Sequence, residues 1–260
     1  MIIDVHCHAW KKKTYEEYLK KSKGKISKSI ILHYFREENF NKLLSFVESK
    51  DNLFLVASID VDKDISKQVK YFESFFKKKK IFGIKLYPGY QYFYPSEKKI
   101  FPIAKLCQKY GKPLIFHSGD VWDPENKSLL KYSHPKYIGE LAVNFPKCKI
   151  VISHFGFPHF LETANILSKN KNVFTDISGT LDDCSKAEMK NLIKQYSQDL
   201  KRILTYFPDI KDKIMFGTDY SGEETPLNQV LPYIELVKKS FTKKTQENVF
   251  YKTAKKVYLN

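Results

Sequence analysis

The chain has 260 residues, with 42% hydrophobic and 15% aromatic side chains and a formal net charge of +16. This composition excludes a disordered chain, and no apolar run is long enough to cross a bilayer. Because all basic residues except Arg36 and Arg202 are lysines, the charge indicates a solvated surface rather than a nucleic-acid interface, which favours arginine, and it leaves a mild preference for anionic substrates.

Short apolar segments rich in β-branched residues recur along the chain and predict eight strands. In chain order they are MIIDVH at the start, KSIILHY near Ile30, NLFLVASID near Val56, IFGIKLY near Ile84, PLIFHS near Ile115, KIVISH near Val151, NVFTDIS near Phe174 and KIMFGTD near Met215. Amphipathic segments predict helices over residues 40–48, 65–76, 100–110, 137–145, 160–167, 189–204, 231–237 and 247–258.

Strands that alternate with helices are typical of parallel βαβ units, and eight such units in about 250 residues predict a (β/α)8 TIM barrel. A doubly wound open sheet is the alternative, but no G-x-G-x-x-G motif follows any predicted strand. No linker, repeat or low-complexity segment divides the sequence. We therefore expect one α/β domain over residues 1–260.

The four cysteines, Cys7, Cys107, Cys148 and Cys184, form no CxxC pair. This spacing is typical of reduced, mostly buried thiols. The apolar start of the chain stops at Asp4 with no basic segment before it, so we expect no signal peptide and a cytoplasmic location. The oligomeric state stays open, and a homo-oligomer is compatible with the sequence.

Polar side chains lie at the carboxyl ends of five predicted strands. They are His6 and His8 on the first strand, Lys85 on the fourth, His117 on the fifth, His154 on the sixth and Asp219 on the eighth. Active sites of TIM barrels lie at this end of the strands. The sequence therefore predicts one site to which these residues contribute.

Side chains at positions i and i+2 of a strand share a face, so His6 and His8 can bind one metal ion. His117 and Asp219 complete a set of three nitrogens and one oxygen, which suits Zn²⁺, with iron, manganese and cobalt as alternatives. Each residue alone has a structural explanation, such as a hydrogen-bonded core histidine or a helix N-cap. Their coincidence at strand ends favours the metal site.

Five motifs point to a known family: DVHCH, GIKLYPGY, PLIFHSGD, VISHFGFP and FGTDYSG. In this order, over residues 1 to about 220, they resemble the amidohydrolase superfamily and, within it, the amidohydrolase-2 group of metal-dependent hydrolases and decarboxylases. The resemblance implies a divalent metal cofactor and a small-molecule substrate.

The resemblance also implies roles for individual residues. His6, His8 and His117 match the metal ligands, and Asp219 matches the aspartate that contacts the metal and accepts the proton of the attacking water. His154 matches the histidine that approaches the substrate or the water in one-metal members and binds a second ion in two-metal members.

Lys85 matches a lysine that is carboxylated and bridges two ions in some members. We expect an unmodified Lys85 and one ion here, with a second ion as the alternative. Tyr87, Asp120 and Trp122, in the loops after the fourth and fifth strands, are candidates for substrate binding; the alternative is that the loop aromatics pack against one another.

Two further carboxylates are expected near the metal residues. Asp176 ends the seventh strand and is expected to hydrogen-bond an imidazole, and Asp4 shares a strand face with His6. His134 and His159, which lie at predicted helix starts, receive no role.

The sequence thus predicts a hydrolase that uses a metal-activated water to cleave an amide, cyclic amide, lactone or ester. A non-oxidative decarboxylase on the same scaffold is an alternative. A TatD-like metal-dependent DNase is disfavoured because such proteins have a glutamate at the position of Lys85. A non-catalytic metal-binding barrel is the last alternative, and the complete set of predicted ligands argues against it.

Overall fold

A computed structural model describes residues 1–36, 39–121, 123, 125 and 127–260. Over these residues, eight parallel strands form one sheet in the order β1-β2-β3-β4-β5-β6-β7-β8, and helices alternate with them. The fold is therefore the (β/α)8 barrel that the alternation of strands and helices in the sequence predicts.

Each strand overlaps the segment predicted for it. The bounds are β1 Ile3–Cys7, β2 Lys28–Leu32, β3 Leu53–Ser58, β4 Ile84–Leu86, β5 Leu114–Phe116, β6 Ile150–Ile152, β7 Val173–Asp176 and β8 Ile214–Met215. Every strand residue except Lys28 and Phe54 is buried. Parallel strands are covered on both faces, which is why they appear in the sequence as continuous apolar runs.

Ten α-helices lie in the described part of the chain. They are α1 Lys12–Ser22, α2 Phe40–Glu48, α3 Ile65–Lys77, α4 Phe101–Tyr110, α5 Leu130–Ser133, α6 Lys136–Asn144, α7 Phe160–Lys169, α8 Lys186–Tyr206, α9 Leu231–Ser240 and α10 Lys243–Glu247. Local signals start several of them. Asp64 caps α3 by accepting the N–H of Lys67, and Ser185 and Glu188 form a capping box at α8.

The structure differs from the prediction at α1, α5 and α10, which were not predicted, and at the last predicted helix. Helix α1 was not predicted, because its sequence KKTYEEYLKKS is dominated by charge and only Tyr15, Tyr18 and Ser22 are buried. The last predicted helix is instead two π-helical turns after α10, Asn248–Lys252 and Lys255–Leu259. A π-helical turn adds a residue to the hydrogen-bonded ring, which apolar spacing alone does not reveal.

The described residues divide into two compact units. The first comprises Met1–Ile31, Asn41–Phe54 and Asp176–Asn260, and the second comprises Leu32–Phe40 and Leu55–Thr175. The extent predicted for a single domain, residues 1–260, stays a prediction.

In the first unit, β1 pairs with the residues that follow β8. Val5 N–H donates to Phe216 O at 3.0 Å, and Asp219 N–H donates to His6 O at 2.7 Å. These bonds place Asp219 beside the carboxyl end of β1, although more than 200 residues separate the two segments along the chain.

In the second unit, β4, β5 and β6 pair in register, with Lys85 opposite Ile115 and Ile115 opposite Val151. His117 N–H donates to Leu86 O at 2.9 Å and continues the pairing beyond the end of β5. The residues that follow these three strands therefore lie at one edge of the sheet.

Three of the four cysteines, Cys7, Cys107 and Cys148, are buried, and Cys184 is half-buried; all four are free thiols, as their spacing predicts. None of the helices in the described ranges combines the length and the apolar character that crossing a membrane requires.

Candidate metal centre

Three of the four predicted metal ligands lie together in the first unit. His6 Nε2 is 3.2 Å and His8 Nε2 is 3.1 Å from the same oxygen of Asp219, Oδ1, and these side chains are at least nine-tenths buried. A tetrahedral ion with bonds of about 2.0–2.1 Å separates its ligand atoms by about 3.4 Å. The donor set and its spacing therefore fit Zn²⁺.

The alternation of side chains along β1 explains why the two histidines are available together. His6 and His8 share one face, and Cys7 between them points to the other and is fully buried. Burial raises the pKa of the Cys7 thiol well above its ordinary value, so the thiol stays protonated. Cys7 thus packs in the core, as the spacing predicts.

Two side chains at the carboxyl end of β7, Asp176 and Ser178, orient the His6 ring. His6 Nδ1 lies 3.2 Å from Asp176 Oδ2 and 3.1 Å from Ser178 Oγ, and Ser178 Oγ donates to the other oxygen of Asp176. When Nδ1 donates to the carboxylate, the lone pair of Nε2 faces Asp219 Oδ1. A cation held by His6 and Asp219 would stabilise that arrangement, so the hydrogen bonding of the His6 ring also fits a metal ligand. The predicted contact of Asp176 with an imidazole is confirmed.

Asp4 joins β1 to the segment that follows β8. Its Oδ1 accepts the N–H groups of His6 and Thr218, both at 3.1 Å, and its Oδ2 accepts the hydroxyls of Thr218 at 2.6 Å and Tyr18 at 2.8 Å. Burial raises the pKa of this carboxyl to about 7, and the four donors oppose that rise. Asp4 therefore fixes Thr218, the residue immediately before Asp219. The position of Asp4 on β1 does not by itself predict this contact.

The backbone around Asp219 is tightly constrained. Asp219 has a left-handed φ of +62°, which costs a residue other than glycine on the order of 1 kcal/mol. Gly217 lies so close to His6 that an added Cβ would be 3.0 Å from the Cβ of His6 and 3.1 Å from that of Ser178. Sequence reasoning missed Gly217 and Ser178, although both lie two residues from a predicted site residue.

The other two predicted histidines are hydrogen-bonded to each other in the second unit. His154 Nε2 is 3.1 Å from His117 Nδ1, and His117 Nε2 is 2.8 Å from Asp120 O. A carbonyl oxygen only accepts, so His117 Nε2 carries the proton and Nδ1 has the lone pair. In this tautomer, His117 Nδ1 has the lone pair that can bind a metal ion. The N–H of His154 Nε2 donates to this Nδ1.

The loop after β6 adopts an uncommon backbone conformation. His154, Phe155 and Gly156 have φ values of +60°, +49° and +64°. Two consecutive left-handed residues other than glycine are strained, and such strain concentrates at functional sites. The loop holds the His154 ring 4.9 Å, centroid to centroid, from that of His117.

Lys85 is wholly buried, and its ammonium group donates to Ser153 Oγ at 2.5 Å and lies 5.4 Å from the centre of the Tyr87 ring. The Tyr87 hydroxyl donates to His33 O at 2.8 Å, and its ring contacts that of Tyr34 at a centroid distance of 5.0 Å. These contacts favour the packing alternative for Tyr87 over a role in substrate binding.

The loop after β5 contributes through its main chain. Asp120 O accepts the proton of His117 Nε2, and the exposed Asp120 carboxylate accepts the N–H of Val121 at 2.9 Å. The main-chain carbonyl of Asp120 thus orients His117, a predicted metal ligand. The side chain of Asp120 gives no indication of this role in the sequence. Trp122, also a candidate for substrate binding, lies outside the described residues.

A family model described as Amidohydrolase matches residues 46–259. The chain belongs to the amidohydrolase family. The matched residues include Lys85, His117, His154 and Asp219, whereas β1 with its paired histidines precedes them. The candidate role of β1 in this amidohydrolase is therefore supported by the short distances from His6 and His8 to Asp219.

Solved structures share the fold of this amidohydrolase at low sequence identity. A probable 2-pyrone-4,6-dicarboxylic acid hydrolase from Acinetobacter baumannii, with citric acid bound, is 14% identical at a TM-score of 0.66, covering 100% of this chain and 99% of that chain. A 5-carboxyvanillate decarboxylase from Sphingomonas paucimobilis is 12% identical at 0.67, covering 94% and 82%.

An amidohydrolase from Burkholderia multivorans with bound zinc is 14% identical at a TM-score of 0.64, covering 100% of this chain and 99% of that chain. No curated protein matches the sequence. At these identities the structures establish the barrel, and the reaction must be argued from the site.

Proposed function

We propose that this amidohydrolase is a metal-dependent hydrolase that cleaves a C–N or C–O bond of a small anionic molecule with an activated water. The convergence of His6, His8 and Asp219, with Asp176 behind the His6 ring, is the observation that carries the proposal. The expected substrates are amides, cyclic amides, lactones or other esters.

The proposed ligand set is His6, His8, His117 and Asp219, with one Zn²⁺ as the expected ion. His117 is included because β5 ends beside β4 and β6 in the sheet and because its Nδ1 has the lone pair that a ligand needs. Ligation through Nδ1 would also release His154 Nε2–H for a contact with the substrate. The zinc in the Burkholderia multivorans amidohydrolase supports this choice of ion.

A divalent ion at these residues supplies Lewis acidity, which lowers the pKa of water and polarises a substrate oxygen. Asp219 accepts a proton as water attacks the carbonyl carbon, and it returns that proton to the leaving nitrogen or oxygen when the scissile bond breaks. His154 donates a hydrogen bond to the oxyanion that forms on the carbonyl oxygen.

Lys85 supports an anionic substrate. Its ammonium group is wholly buried and donates to Ser153 Oγ, and removing a positive charge from water carries a desolvation cost. A carboxylate on the substrate would offset that cost and would be oriented by the charge. The net charge of +16 adds a long-range attraction for anions.

The decarboxylase alternative rests on the solved decarboxylases that share the fold, such as the one from Sphingomonas paucimobilis. It uses the same ligands but delivers a proton to carbon instead of a water to a carbonyl. The reaction products separate the two functions.

The proposal is tested by metal analysis followed by a substrate screen. Purified protein is expected to hold a divalent ion at the His6 site and to hydrolyse at least one member of a panel of carboxylated lactones and cyclic amides. Release of carbon dioxide from aromatic carboxylic acids, with no hydrolysis, would replace the hydrolase with a decarboxylase. Protein that lacks the ion after reconstitution would overturn both.

A further inference from the structure

A second group of metal-ligand side chains lies in the second unit and shares no residue with the proposed centre. His134 lies between α5 and α6, His159 immediately precedes α7, and Glu162 lies in the first turn of α7. His134 Nε2 is 3.4 Å from Glu162 Oε2, and the two imidazole centroids are 4.2 Å apart. One donor atom from each of the three residues lies within 4.8 Å of the other two.

We propose that His134, His159 and Glu162 form a further binding site for a divalent transition-metal ion, with Zn²⁺ as the expected ion. The separation of 3.4 Å between His134 and Glu162 already equals the ligand spacing of a tetrahedral zinc ion, about 3.4 Å. Bringing every donor to that spacing requires closures of no more than about 1.4 Å, which rotation of partly exposed side chains provides.

The local sequence explains why the donors face one another. His159 and Glu162 are three residues apart at the start of α7, and residues at this spacing share a helix face. His134 lies on a different segment, between α5 and α6, and its imidazole faces Glu162 at the start of α7. All three residues are half-buried, so water can fill the remaining coordination positions.

Tight packing holds the two segments together. An added Cβ at Gly156, which has a φ of +64°, would be 2.3 Å from Thr163 Oγ1 and 3.5 Å from Pro135 Cγ. Pro135 follows His134, and Thr163 lies in α7, so Gly156 touches both sides of the group. The main chain of His159 donates to Gly156 O at 2.8 Å and accepts the N–H of Thr163 at 2.9 Å, so His159 is fixed between Gly156 and the first turn of α7.

The donor chemistry selects the ion. Two imidazoles and one carboxylate form a typical zinc set, whereas Ca²⁺ and Mg²⁺ prefer oxygen ligands alone. The positive end of the α7 dipole opposes a cation, and Glu162 in that first turn supplies the compensating negative charge. The group would therefore discriminate strongly for zinc, copper or nickel over magnesium.

Zinc titration of metal-stripped, full-length protein, followed by calorimetry, tests the proposal. Two sites are expected in the wild type, and one in each of two variants, His159→Ala and the double variant His6→Ala/His8→Ala. Glu162→Gln, which preserves shape, should weaken the second site at least tenfold, whereas Glu140→Gln, an exposed position on α6, should leave it unchanged.

The two proposals fail separately in this experiment. If the His6/His8 double variant loses no zinc but His159→Ala does, the proposed catalytic centre is wrong and the second site stands. If His159→Ala and Glu162→Gln both bind zinc with wild-type stoichiometry and affinity, the second site does not exist. Circular dichroism identifies a variant that fails to fold, and Glu162→Gln then decides the question alone.

Discussion

Two groups with the same donors, two imidazoles and one carboxylate, differ in how the fold surrounds them. His6, His8 and Asp219 are buried at strand ends, whereas the His134 and Glu162 side chains are 25% and 42% exposed at helix ends. A buried site excludes water and strengthens electrostatic interactions, while a half-exposed site stays solvated. This difference is the reason why we propose a reactive centre in the barrel and expect a structural role for the group at the α7 end.

The first group is also held by hydrogen bonds from neighbouring residues that are not proposed metal ligands. Asp176 and Ser178 set the His6 ring, and Asp4 ties the segments that carry His6 and Asp219. Such supports restrict a ligand to one orientation, which is what precise catalytic chemistry requires. The predictions below probe this difference, from the largest expected effect to the smallest.

The largest effect is expected for Asp219→Asn. An amide cannot accept and return the proton of the attacking water, so turnover on the substrate found in the screen should fall by about 10²–10⁴-fold. Circular dichroism should show that the variant keeps the wild-type secondary structure, and activity is measured at a saturating concentration of Zn²⁺ so that weaker metal binding does not account for the loss. Asp51→Asn, at an exposed position between α2 and β3, is the matched control and should retain full activity.

Metal removal should lower the melting temperature. An ion that binds only the folded state stabilises it by about 4 kcal/mol at a free concentration a thousand times the Kd. For a chain of this size that corresponds to roughly 8–16 °C, at about 2–4 °C per kcal/mol. Differential scanning calorimetry with a chelator, and after addition of Zn²⁺ or Mg²⁺, measures it; recovery with Mg²⁺ as complete as with Zn²⁺ would contradict a nitrogen-rich site.

Asp176→Asn probes the support of the His6 ring. The amide removes the negative charge that stabilises the Nδ1–H, so zinc affinity at the barrel site should fall about 10–100-fold. A competition titration with a chromophoric chelator measures the change. Equal loss at the His134 group would show that the substitution acts through global stability rather than through the His6 ring.

Gly217→Ala should have the smallest effect on metal binding, about tenfold, because the new methyl displaces His6 by a few tenths of an ångström. Gly139→Ala is the control for the barrel site: its Cβ would lie 3.3 Å from Ile166, a similarly tight contact that involves none of His6, His8, His117 and Asp219, and zinc affinity is compared at the barrel site alone. If both substitutions lower zinc affinity equally, the close packing of Gly217 against His6 has no specific role.

Much of the barrel could be predicted because its strands are buried and short. Each of the eight apolar runs corresponds to a strand, and the alternation with helices limits the topologies to very few. Helix α1 escaped prediction because the few buried residues among its lysines carry a weak periodic signal. The π-helical turns at the end escaped because apolar spacing does not distinguish them from α-helix.

The residue types of the candidate site could be predicted from the sequence, but the distances between their atoms could not. His6 and His8 were identified by strand spacing, Asp219 by its position after an apolar run, and the Asp176 contact by its place at a strand end. Gly217 and Ser178 were missed because a small side chain in a close contact looks like an ordinary loop residue in the sequence.

The sequence by itself determined the strands, their order along a (β/α)8 barrel and the shared face of His6 and His8, because side-chain alternation is a local property of the chain. Only the tertiary structure decided that Asp219 Oδ1 lies about 3 Å from both imidazoles and that Asp176 hydrogen-bonds the other nitrogen of the His6 ring. The first of these contacts depends on the pairing of β1 with the residues that follow β8, a contact between segments more than 200 residues apart that no local pattern encodes.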